Sequence, residues 1–188
     1  MKLTVRELKP ALTNIIGLTG DDTLPMINGV YVVNNQAGLK LYATDRVTAI
    51  ENKFHPTEDP AEEFEYFLDR EAVQLISKLP LNRVVTFSPA GVSSQNIEFK
   101  PADENFPKTV IELIDNAWKD EWLEDEEQGA KSRNAGIITG YSPALVKHIK
   151  DVEIIPQPHG GQNARLRAPG LRGLLMGTRV KLEEISGS

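Results

Sequence analysis

Apolar positions along this chain alternate between two spacings, one suited to strands and one to helices. Met1–Val5 reads as a short strand, and Leu8, Leu12, Ile15 and Ile16 then follow at i, i+4, i+7 and i+8, one face of a helix. Pro10 fits that helix as a first-turn residue. Val30–Val33 and Leu39–Ala43 read as strands joined through Asn34-Asn35-Gln36-Ala37-Gly38, and Thr48–Phe54 as a further strand ending near Pro56. The order then returns. Phe64–Leu68 is a strand, Asp69 a helix cap, Glu71 a first-turn acid, and Ala72, Val73, Leu75, Ile76 and Leu79 a buried stripe closed by Pro80. Val84–Phe87 and Asn96–Phe99 follow as paired strands around Ala90-Gly91. A third pass covers Gly136–Val180. Ile137–Gly140 is a strand, Ser142-Pro143 a cap and N1 proline, and Leu145, Val146, Ile149 and Val152 line one helical face. Strands near Glu153–Ile155, Ala164–Arg167 and Leu174–Val180 complete it.

Helix starts near Arg6, Arg70 and Pro143 lie 64 and 73 residues apart. The recurring strand–helix–strands order predicts an α+β chain of repeated units, a pattern that builds arrays or rings sharing surfaces. Between the second and third units, Val110–Leu123 reads as an amphipathic helix carrying Trp118 and Trp122, and residues 124–135 as a linker.

Length and composition narrow the picture. At 188 residues, 40% of them hydrophobic and 26% charged, the chain suits one domain or two small ones. Its apolar runs fall short of the ~18 residues of a spanning helix, and its N-terminus lacks a signal-peptide pattern, which together predict a cytoplasmic protein without a membrane partner. The absence of cysteine excludes a disulfide scaffold, a Cys-based zinc site and a thiol nucleophile. The net charge of −6 is uneven: −5 over residues 1–107, −6 over 108–127 and +5 over 128–188. A basic C-terminal third thus follows an acidic collar, Asp120-Glu121 and Glu124-Asp125-Glu126-Glu127, which reads as a solvated face or linker.

Catalytic chemistry finds little support. His55, His148 and His159 lack metal-site spacing, and neither a phosphate-binding loop nor a nucleophile elbow occurs. Asp45 suits a turn, its carboxylate accepting backbone N–H bonds, better than general-base work. Gly160-Gly161-Gln162 matches the tripeptide with which translation release factors position water, but between Pro158 and Asn163 it reads as a hairpin turn. The expectation is a non-enzyme with neither cofactor nor metal.

Three strings carry a resemblance. Leu24-Pro25-Met26-Ile27-Asn28-Gly29-Val30 precedes Gly38-Leu39-Lys40-Leu41-Tyr42-Ala43-Thr44-Asp45; Asn105-Phe106-Pro107-Lys108 closes the second unit; Leu174-Leu175-Met176-Gly177-Thr178-Arg179-Val180 lies near the C-terminus. In this order the chain resembles the bacterial sliding clamp, the beta subunit of DNA polymerase III, over about residues 1–112 and 136–182. The resemblance implies a DNA-clamp-like α+β fold, with antiparallel sheets outside and helices on one face. It implies residues 1–112 as a complete domain of two units, 113–135 as an acidic helical linker, and 136–188 as a half domain with a tail.

It also implies a processivity factor that encloses duplex DNA without reading its sequence and docks polymerase and clamp-loader peptides. The cations on or beside the helices, Arg6, Lys9, Arg70, Lys78, Arg83, Lys147 and Lys150, would face phosphate. Val47, Leu113, Met176, Arg179 and Val180 would line a hydrophobic peptide groove. Three units are half of a standard clamp subunit, so a ring of twelve would need four chains, and the reduced form suggests a phage or mobile-element version. Gly177 and Thr178 replace the family's Pro and Met, and Asp21-Asp22 stand where the family often places a basic DNA contact. The competing reading is a clamp-derived decoy or regulator that binds peptides without enclosing DNA.

Overall fold

The computed structural model describes residues 1–55, 62–119, 137–157 and 163–181, and the side chains of all these except 137–140 and 178–181. By contact they divide into one unit of residues 1–45 and 51–108 and another of residues 46–50 and 109–188.

The first unit contains two copies of one module. In the first, β1 (Lys2–Thr4) leads into α1 (Val5–Leu18), followed by β2 (Gly29–Asn35), β3 (Gly38–Thr44) and β4 (Thr48–Phe54). In the second, β5 (Phe64–Asp69) leads into α2 (Arg70–Lys78), β6 (Val84–Ser88), β7 (Gly91–Ser94) and β8 (Ile97–Phe99). Both helices begin at side-chain caps. Thr4 and Glu7 form a reciprocal capping box on α1, and the Asp69 carboxylate accepts from Ala72 N on α2, so N–H groups without intrahelical partners are satisfied.

The two modules exchange their leading strands. β1 joins the second module's sheet, in the order β1-β6-β7-β8, and β5 joins the first module's, in the order β4-β3-β2-β5. Their ladders are antiparallel: Thr4 stands opposite Val84 in one, Asp69 opposite Gly29 in the other. α1 lies on β2, β3 and α2, burying Leu8, Leu12 and Ile15; α2 lies on β2 and β5, burying Ala72, Val73 and Ile76. Each large apolar side chain so buried contributes about 1.5–3 kcal/mol. The fold class is therefore α+β with antiparallel sheets, as the resemblance to the clamp implied.

The second unit holds α3 (Thr109–Ala117), β9 (Ile137–Gly140), β10 (Glu153–Pro156), β11 (Asn163–Ala168), β12 (Leu171–Met176) and β13 (Thr178–Lys181). β10, β11 and β12 form an antiparallel meander, and β9 pairs with β13. Its core includes Ile114, Val146, Ile149, Leu166, Leu174 and Leu175.

Several expectations need correction. Pro10 lies past the first turn of α1, which starts at Val5. Pro10 and Arg6 are exposed, so the helix interior tolerates the missing N–H on its solvent side. Leu75 is exposed rather than part of the α2 stripe, because Ala72, Val73 and Ile76 already fill the narrow contact face. Val84–Phe87 and Asn96–Phe99 do not pair with each other; β7 lies between them, and Gln95, at φ 52°, makes the second tight turn. The strand expected over Leu174–Val180 divides at Gly177, and its two halves pair with β11 and with β9.

The third unit's helix is only a 3-10 turn, Pro143–Val146, with Leu145 exposed. A short helix draws its stability from packing against a partner helix, as α1 and α2 do, and no such partner occurs among the described residues of this unit. α3 ends at Ala117, with Trp118 in the following turn. Trp122, the whole acidic collar, linker residues 120–135, His159 and Gly160-Gly161-Gln162 lie outside the described residues.

Candidate functional site

α1 and α2 run antiparallel, since Lys9 Nζ donates to Ser77 O (2.6 Å) at one end and Arg70 Nε donates to Thr19 O (3.0 Å) at the other. Each cation meets carbonyls at the C-terminal end of the opposite helix, where the helix dipole favours positive charge. Arg6 N donates to Leu81 O and Val5 N to Arg83 O, both at 2.9 Å, which brings the turn before β6 against the start of α1. Arg6, Lys9, Lys78 and Arg83 therefore gather at one end of the helix pair. All but the half-buried Arg83 are exposed. Glu7 shares this end, its carboxylate held below the usual range by bonds from the Thr4 side chain and backbone.

Arg70 has different company. It lines a cleft of about 550 Å³ with Asp22, Asp69, Glu71 and Glu104, walled by Pro25 and Phe67. Asp22 there accepts from Asn28 Nδ2 (2.7 Å). The helix pair is thus basic at the Lys9–Lys78 end and acidic at the Arg70 end. Lys147 and Lys150 belong to the second unit, exposed in the turn after the short 3-10 helix.

The Phe-Pro string seals the first unit. Phe106 is buried, its ring stacked on Tyr31 (5.1 Å, 2°) and beside Phe67 (6.3 Å, 27°). Lys108 then bonds Glu65, which raises the Lys108 ammonium and lowers the Glu65 carboxyl, while burial pushes the Tyr31 phenol up.

In the second unit, Met176 N donates to Val47 O (2.8 Å), placing two exposed apolar residues side by side: Val47 at 40% and Met176 at 44%. Arg46, immediately before, is held at φ 78°, a left-handed corner that only surrounding contacts maintain. Gly173 makes this approach possible, because a Cβ there would lie 2.4 Å from Ala49 O. Leu113 is 53% exposed on α3. The contacts of α3 with β12 fall at Arg172, paired with Asp115, and at Gly173 O, which accepts from Trp118 Nε1 (3.1 Å). Those points precede Met176 by three or four residues, about 10–13 Å of strand, so these contacts do not bring Leu113 to the Val47–Met176 pair. Arg179 and Val180 lie on β13, directly after Gly177; their side chains are outside those described.

Sequence reasoning missed one anchor. Arg165, buried in β11, donates to Ala117 O (2.5 Å) and Lys119 O (2.7 Å) and lies over the Trp118 ring (5.2 Å). It caps the C-terminal end of α3, whose last carbonyls would otherwise lack partners. An alternating strand pattern does not distinguish a buried arginine from a solvent-facing one.

Scanned against models of known protein families the chain matches none, and no curated protein sequence matches it. Solved structures do match. The DNA polymerase III subunit beta from Pseudomonas aeruginosa aligns with a TM-score of 0.66 at 10% identity, over 96% of this chain and 66% of that one. A DNA polymerase sliding clamp from the same organism gives 0.62 at 14%, over 99% and 66%. The beta subunit from Thermotoga maritima gives 0.61 at 12%, over 94% and 63%. The chain spans just under two thirds of each of these structures, and across almost its whole length its fold is that of the bacterial sliding clamps.

Proposed function

We propose that the protein is a non-enzymatic, clamp-like processivity factor of the cytoplasm, which holds duplex DNA by phosphate attraction and docks polymerase and clamp-loader peptides. The observation that carries this reading is the clamp fold over 94–99% of the chain. Residues 1–112 act as a complete clamp domain and residues 136–188 as half of one. Four chains therefore supply the twelve units of a ring. Phosphate contact falls to Arg6, Lys9, Lys78 and Arg83 at the basic end of the helix pair and to Lys147 and Lys150. Arg70, set among carboxylates, makes the weakest contribution. Val47 and Met176 anchor the docking peptide, flanked by Arg179 and Val180, with Leu113 at its far margin. Overall acidity is compatible with this role, because only the DNA-facing surface needs cations.

The test is retention on closed circular DNA, with a loader supplied, over a range of salt. Neutralising Z phosphate contacts gives a slope of about −0.9Z in log K against log salt. The combined reversal Arg6→Glu, Lys78→Glu, Lys147→Glu and Lys150→Glu is expected to abolish retention while a clamp-binding peptide still binds. A wild-type oligomer that never stays on circles, yet binds the peptide, would instead be a decoy or regulator.

A further inference from the structure

Both complete modules obey one pairing rule. The leading strand of each joins the strand that follows the helix of the other, and the helix N-cap stands opposite that strand's first residue: Thr4 opposite Val84, Asp69 opposite Gly29. Residues 137–181 provide a single module of the same order: β9, the cap residue Ser142, a short helical turn, then β10, β11 and β12. Its sheet runs β10-β11-β12, so the outer edge of β10 is where a sister module's leading strand belongs. The second unit supplies no such strand among its described residues.

That edge has the marks of an unfilled position. Gln157 N donates to Asn163 O (3.1 Å), and strand alternation then turns Ile155 and Glu153 toward β11 and the backbone of Ile154 and Pro156 outward. Ile154 and Ile155 are both half-buried, whereas the corresponding strands β2 and β6, each paired with a leading strand, bury Val30, Val32, Val85 and Phe87. An edge carrying isoleucines and an outward N–H is a template for another strand.

We infer that two copies of this chain complete each other's half domain, β9 of each pairing antiparallel with β10 of the other about a twofold axis. The cap rule fixes the register: Ser142 opposite Glu153, Tyr141 opposite Ile154 and Gly140 opposite Ile155 of the second copy. That ladder has three pairs, the same length as the one joining β1 to β6. β13 occupies the other edge of β9, so the added ladder requires nothing in the described fold to unpair. The contact is isologous and closes on itself. It places the two 143–150 segments together, as α1 meets α2, and covers the exposed Leu145. The inference rests on strand topology and holds whether or not the protein tethers DNA.

Sedimentation of the full chain at several concentrations, beside the Ile154→Pro variant, tests it. Ile154→Pro removes an outward N–H and leaves the β10–β11 ladder intact. The wild type is expected to form an even-numbered assembly and the variant to have half its mass, with unchanged circular dichroism and Trp118 emission. A wild type that stays monomeric at every concentration, or a folded variant of unchanged mass, overturns the inference. If the variant misfolds, cross-linking decides. The chain has no cysteine, and opposed non-hydrogen-bonded residues lie about 4.5 Å apart, within disulfide range. Gly140→Cys with Ile155→Cys should therefore give a disulfide-linked dimer on oxidation, and neither single substitution should. Absence of that dimer, or equal yield from a single substitution, refutes the register.

Discussion

Phe106 sits where the chain leaves the first unit, and replacing it by alanine tests how that unit is sealed. Its ring is 5% exposed, stacked on Tyr31 and packed beside Phe67. Deleting a buried phenylalanine costs about 3–5 kcal/mol, the lost transfer plus the cavity left behind. Of that, each aromatic pair accounts for roughly 0.5–1.5 kcal/mol. Phe106→Leu keeps most of the apolar volume and loses the stack, so about 1–2 kcal/mol is expected for it. In a unit of about 100 residues the alanine variant should melt of the order of 15–30 °C lower. The assay is urea unfolding followed by tyrosine circular dichroism, with hydrogen exchange at β2 and β5. Both tryptophans, Trp118 and Trp122, lie beyond residue 108, so their emission follows the other unit. A Phe106→Ala loss under about 1 kcal/mol, or a leucine variant as unstable as the alanine one, would refute a sealing role for the stacked ring.

Other substitutions probe separate contacts. The Tyr66 hydroxyl is buried without a hydrogen-bond partner among the described residues, and burial pushes its phenol well above the ordinary value of 10.0. The folded state therefore holds this proton more tightly than the unfolded one, and stability falls as pH rises past the ordinary value. Tyr66→Phe should be neutral or stabilising at pH 7 and should flatten the alkaline loss, as read by melts across that range. Thr4→Ala should cost about 0.5–2 kcal/mol through loss of the α1 cap. The lowered Glu7 carboxyl adds stability above its ordinary value of 4.5 that fades as pH falls through its folded value. The acid-side decline should therefore be shallower in Thr4→Ala; equal slopes in acid denaturation would remove Glu7 from the account. Gly173→Ala forces a Cβ against Ala49 O, with an overpacking cost of about 1–3 kcal/mol. Affinity for the peptide proposed to dock at Val47–Met176 should drop while the first unit's exchange protection stays unchanged.

The sequence by itself determined the elements whose causes are local. Periodicity located α1 and α2, the Asp69 cap, β4 to the residue and the hairpin through Asn35 and Gly38, because spacing, caps and turn residues act over a few positions. It also exposed the threefold order of units and the three strings that resemble the clamp. Only the tertiary structure decided which strands pair, since β1 with β6 and β5 with β2 join residues far apart in sequence, and no local pattern encodes the exchange. It decided the Pro143 segment too: apolar like its two counterparts but without a side-chain cap bond from Ser142, it remains a 3-10 turn where α1 and α2 have each other to pack against. The cations were legible as residue types, but their sorting into a basic and an acidic end came from antiparallel packing. Local spacing and caps thus specify the modules, whereas long-range pairing leaves the β10 edge of the third without a leading strand among the described residues.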